Sequence, residues 1–132
     1  MTIKQKLKQY EQMSIRINRL NERIQQLEST SEKVTSIITD MPRGGGGNGK
    51  EDIYILLADT KAEYISEIKE AEQVKQDIYK LIDKIADERL KRLLELKYVG
   101  LKRWEDICYT LNYEWAQIHR LHGQALEMLG RD

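Results

Sequence analysis

Phenylalanine is absent from this chain, and proline and cysteine occur once each. A lone Cys108 excludes an internal disulfide and points to a cytoplasmic protein. With aromatic residues at only 7%, strand signals are few, while helix formers are plentiful. No apolar run reaches the roughly eighteen residues of a membrane-spanning helix. The opening MTIKQKLKQYEQ has no apolar centre and does not read as a secretory signal. Net charge is missing too, because 22 basic side chains balance 22 acidic ones. Residues 1–50 carry nine basic and five acidic groups, residues 51–86 five and nine, and residues 87–132 eight and eight. No segment has the positive excess that drives autonomous, non-specific DNA binding. A free-standing high-affinity DNA binder is thereby disfavoured; a reader that works within an assembly is not.

What is present is helical periodicity. Tyr10, Met13, Ile17, Leu20, Ile24, Leu27, Val34 and Ile38 recur at spacings of three and four, interrupted by Ser31. Such a stripe predicts a helix over 3–38 within an N-terminal segment, residues 1–40. MPRGGGGNGK follows, and its proline and glycines predict a flexible linker over 41–50. Its Gly-Lys ending is not a P-loop, since no apolar strand precedes it and Glu51 stands where a magnesium-binding Ser or Thr belongs. Residues 51–86 predict a second long helix on Ile53, Leu57, Tyr64, Ala71, Val74, Ile78, Leu81 and Ile85. Ile65, Ile68 and Ile82 widen its stripe, which suggests contact with more than one helix. Each long helix alone would leave its stripe wet, so the two are expected to pair antiparallel, within one chain or between copies.

From residue 87 the pattern shortens. DERLKRLLELKYV predicts a helix capped by Asp87 and broken at Gly100. KRWEDICYTL predicts a second, with Trp104, Ile107, Cys108 and Leu111 inward. Asn112 and Tyr113 make a tight turn, and residues 114–129 predict a third. Three short helices with a brief turn before the last form a helix-turn-helix arrangement over 87–132. The expected fold class is therefore all-α: two long helices in an antiparallel coiled-coil hairpin, then a helix-turn-helix domain.

LLELKYVGLKRWEDICYTLNYEWAQIHRLHGQALEML resembles region four of bacterial sigma factors. The shared pattern is an apolar pair, a basic-aromatic pair, Gly-Leu, acidic-acidic-Ile, a Leu-Asn turn, then Ile, Leu and Ala-Leu. With its coiled N-terminal helix and MPRGGGG linker, nearly the whole chain is similar to small phage transcription regulators. These occur in phages and prophages of Gram-positive bacteria and carry a sigma-region-four-like helix-turn-helix; some activate late genes. The sequence departs from sigma factors at Glu114, where Ser or Thr usually opens the recognition helix, and at His119 and Leu121, where many carry Lys or Arg. No segment matches the sigma region that binds the minus-ten element. The resemblance implies promoter DNA as ligand and the cytoplasm of a bacterial host; with so few basic contacts, the affinity is expected to come from a homodimer or from host RNA polymerase.

On a helical wheel Ile118, Leu121, Ala125 and Leu129 face inward and Ala116, Arg120, Gly123 and Glu127 outward, flanked by Gln117, His119 and Gln124. Arg120 can pair bidentately with guanine, and Gln117 or Gln124 with adenine. Lys102 and Arg103, opening the preceding helix, suit phosphate contact. The expected DNA-binding set is Lys102, Arg103, Gln117, His119, Arg120 and Gln124. His122 lies near the inward edge and is expected to be buried. His119 and His122 alone do not make a metal site, no nucleophile or paired acid forms a catalytic set, and no cofactor or enzymatic activity is expected. Two other readings share these features. One is a helical adaptor or antirepressor that no longer binds DNA; the other is a small terminase-like packaging subunit.

Overall fold

The computed structural model describes residues 1–40 and 48–130, and every regular element among them is helical. The elements are α1 (Ile3–Asp40), α2 (Asn48–Ile82), α3 (Glu88–Leu94), α4 (Trp104–Leu111) and α5 (Trp115–Gly130). A single π-helical turn, Glu95–Val99, continues α3. The polyglycine stretch of the expected linker lies outside the described residues, and its end is helical: α2 begins three residues earlier than the stripe suggests. No described helix is long and apolar enough to cross a membrane.

Local chemistry sets the helix ends. Thr2 Oγ1 accepts from the Gln5 amide at 3.1 Å, and Gln5 Oε1 accepts from the Thr2 amide at 2.9 Å. This reciprocal pair satisfies two amides that have no partner inside α1. Asp87 adopts an extended backbone and its carboxylate accepts from the Arg89 amide at 2.9 Å, capping α3 as its sequence position suggests. The side-chain hydrogen bond from Arg89 holds the Asp87 carboxyl below its ordinary range. That cap explains why α2 stops at Ile82 rather than continuing to residue 86. The chain tightens through Lys84 N–H to Leu81 O and Ile85 N–H to Ile82 O, and must be extended before Asp87 can cap.

The chain divides into two compact units, residues 1–14 with 71–132 and residues 15–70. In the first, Ile78, Ile82, Leu93, Leu94, Ile107, Ile118 and Ala125 are fully buried, with Leu90, Tyr98, Leu121 and Leu129 nearly so. Leu7 of α1 is also fully buried in this core, and Ile3 and Tyr10 pack against it. The core of the three short helices thus draws on the start of α1 and the end of α2.

In the second unit Leu20, Ile24, Ser31 and Thr60 are buried. The Thr60 hydroxyl donates to Leu56 O at 2.7 Å, which satisfies it inside its own helix. Arg16 pairs with Glu67 at 3.4 Å and Lys61 with Glu28 at 3.2 Å, so later residues of α1 meet earlier residues of α2. The expected widening of the α2 stripe occurs at Ile82 but not at Ile65 and Ile68, which are exposed.

Candidate nucleic-acid interface

The segment from Glu95 to Gly130 positions every residue expected to meet DNA. It begins with an irregular helix end. Gly100 N–H donates to Glu95 O at 2.8 Å, the five-residue step of a π-turn, and Lys102 N–H reaches Leu96 O at 3.0 Å. The last bond closes a Schellman-type end, in which the residue before the donor takes a left-handed conformation. That residue is Leu101 (φ 54°), not the neighbouring glycine. Gly100 is right-handed (φ −74°) and is needed for another reason: a Cβ there would stand 3.0 Å from Leu96 O. Leu101 therefore holds backbone strain on the order of 1–3 kcal/mol directly before Lys102 and Arg103.

α4 then runs to Asn112, which takes the left-handed conformation (φ 58°, ψ 47°) that asparagine tolerates. Tyr113 N–H bonds Cys108 O at 3.1 Å, and α5 starts at Trp115. α5 buries Ile118, Leu121, Ala125 and Leu129, the inward set of the wheel. Lys102, Arg103, Arg120 and Gln124 are exposed, while Gln117 and His119 are half-buried. Arg103 Nε also donates to Asp106 at 3.3 Å, one turn along, so part of its charge is spent on α4 itself.

His119 is less free than its flanking position implies. Its ring lies 4.8 Å from that of Trp104 and 4.6 Å from that of Trp115, centroid to centroid. Trp104 also meets the His122 ring edge-on at 4.8 Å and carries the Lys97 ammonium over its face at 4.6 Å. The Tyr98 hydroxyl and His122 Nε2 share a 2.6 Å hydrogen bond. An aromatic cluster thus locks the π-turn, α4 and α5 together at the base of the exposed face. The wheel places His122 near the inward edge; that Tyr98 would be its partner is not visible in the sequence.

Burial pushes the Tyr98 hydroxyl up to about 12 and the His122 ring down to about 4, with Lys4, His119, Lys97 and Lys8 adding to the histidine's shift. Both groups are therefore neutral near pH 7. As pH falls below 6.5, an unfolded His122 binds a proton that the folded ring refuses until about 4. Stability is complete above that window and declines through it. Above pH 10 the unfolded tyrosine ionises first, and stability declines again towards 12. Urea midpoints measured between pH 7.5 and 4 should fall for the native chain and fall less for His122→Gln. Equal slopes would assign the acid sensitivity to other groups.

A family match decides the chain's kinship: the family described as protein of unknown function (DUF1492) covers residues 29–130. The chain belongs to the DUF1492 family. The DUF1492 match takes in the last part of α1, all of α2 and the whole segment from α3 to α5. No curated protein and no solved structure matches the chain.

Proposed function

We propose that this DUF1492 protein is a phage or prophage transcription regulator, probing promoter DNA with α5. In this reading α4, the Asn112 turn and α5 are a helix-turn-helix, and α1 and α2 form an antiparallel helical hairpin. The hairpin dimerises or docks on host RNA polymerase. The observation that carries the reading is the division of α5 into two faces. Ile118, Leu121, Ala125 and Leu129 anchor one, and Arg120 and Gln124 stand exposed on the other, with Lys102 and Arg103 exposed ahead of α4. Arg120 supplies base selection and Lys102 and Arg103 supply phosphate contact. Two basic side chains release few counterions, so affinity has to come from a second copy or from polymerase. The reversed order of the pairs Arg16–Glu67 and Glu28–Lys61 supports the hairpin.

A rival reading, a protein-binding adaptor, draws on Glu114, exposed just ahead of α5, and Glu127, exposed on it, whose charges repel phosphate, and on the engagement of His119 by two tryptophans. Recovering genomic DNA with the tagged full-length chain during phage induction separates the two. The regulator enriches one recurring motif near promoters. DNA without any recurring motif favours the adaptor.

Gly123 offers a sharper probe. It sits exposed in the interior of α5, and a Cβ there would meet nothing within 4 Å. Glycine at such a site costs about 1 kcal/mol relative to alanine, a cost that close approach of DNA would justify. Gly123→Ala is expected to raise the urea midpoint while weakening binding to the recovered motif. If both stability and affinity rise, nothing approaches the helix at residue 123.

A further inference from the structure

α2 has a second face that stands exposed among the described residues. Within the unit of residues 15–70, Thr60 is buried, and Leu57, Tyr64 and Glu67 are withdrawn from solvent on the same side. Glu51, Ile55, Ala58, Ala62, Ile65 and Lys69 occupy the opposite side, and all six are exposed. Ile55 and Ile65 keep 56% and 54% of their surface in solvent, which is unusual for isoleucine. Their spacing alternates four and three, so at about 100° per residue they stay within roughly 80° of arc. They form one straight ridge about 27 Å long.

The order of residues along this ridge is the informative part. It runs acid, large, small, small, large, base. Reversed, it reads the same in size and opposite in charge. A two-fold axis at the level of residue 60 would set Ile55 against Ile65 of a second copy, Ala58 against Ala62, and Glu51 against Lys69. The two central alanines allow the helix axes to come close, and the isoleucines on either side close over them. A parallel pairing would oppose Glu51 to Glu51 and Lys69 to Lys69, which like charges resist. We propose that this ridge binds a second copy of the same chain, α2 against α2 and antiparallel.

Such an interface is isologous, each residue of a pair meeting its counterpart twice, so it closes at two copies. Asp59 lies beside the axis and faces its own counterpart there, which weakens the association; Asp59→Asn should tighten it. The inference stands on α2 alone and does not depend on DNA binding.

Sedimentation equilibrium of the full chain without DNA tests it, with circular dichroism to show that each variant keeps its helices. The native chain should sediment as two copies at tens of micromolar. Ile65→Asp should sediment as one. Glu51→Lys and Lys69→Glu should each weaken association at least tenfold, and the double variant should restore it. A parallel pair would not weaken and recover in this way, since each charge would face its own counterpart. A native monomer, a species larger than two copies, or single charge reversals that associate like the native chain would overturn the proposal.

Discussion

Leu94→Ala is expected to destabilise the unit containing the three short helices by about 2–5 kcal/mol, the range for a buried leucine truncated to a methyl group. Leu94 has no exposed surface and ends α3 where the π-turn begins. The core it belongs to also holds Leu90, Leu93, Leu96 and Ile118, from α3, the π-turn and α5, and a close-packed interior relaxes only partly into a cavity. A domain has only about 5–15 kcal/mol in total, so the loss takes a large share of it. Urea unfolding of the full chain, followed by helical signal, reads the shift. Met128→Ala serves as the comparison, because Met128 is exposed on the same α5 that the core anchors; a change within roughly 0.5 kcal/mol is expected there. Equal losses for the two variants would mean that the core does not hold this unit together.

The second large effect is on recognition. Arg120→Ala should cost about 1–3 kcal/mol of discrimination between the preferred motif and an altered one, with the urea midpoint unchanged. The side chain is exposed and makes no described hydrogen bond or ion pair within the chain, so its removal leaves the fold's contacts in place. A competition assay between the recovered motif and single-base variants measures the effect. Lys102→Ala should behave differently, weakening all sequences alike and lowering the salt dependence, as expected of a phosphate contact. If Arg120→Ala leaves the preference among bases intact, Arg120 is not a reading residue, whatever the outcome for Lys102.

Much of this architecture is legible in residue order, because the rules involved act over one helical turn. The stripe on α1 from Tyr10 to Val34, the inward set of α5 and the Asp87 cap each depend on near neighbours along the chain, and the structure places them accordingly, while the side chain of Ile38 lies outside those described. The Thr2–Gln5 capping box has the same short range and follows the Thr-x-x-Gln pattern of MTIKQ. Errors begin where two local preferences compete. Apolar spacing alone would carry α2 to residue 86, but the cap at Asp87 requires extended chain before it. Gly100 falls at the helix end as its break predicts, but it stays right-handed, and the left-handed conformation falls on Leu101, which no local spacing rule marks.

By itself, then, the sequence determined that the chain is helical, where most helices run and which side of each is apolar, since the period of a helix is written in its own residues. It also put Arg120 and Gln124 on the face of α5 away from the core. Only the tertiary structure decided which apolar sides are covered. Leu7 joins a core made largely of residues more than seventy positions later, whereas Ile55 and Ile65, no less apolar, remain in water. The same holds for the cluster beneath α5. Tyr98 and His122 are 24 residues apart and share a 2.6 Å hydrogen bond, and Trp104 lies against both His119 and His122. Burial and partnership of this kind depend on how helices meet, and no spacing rule within one helix contains that information.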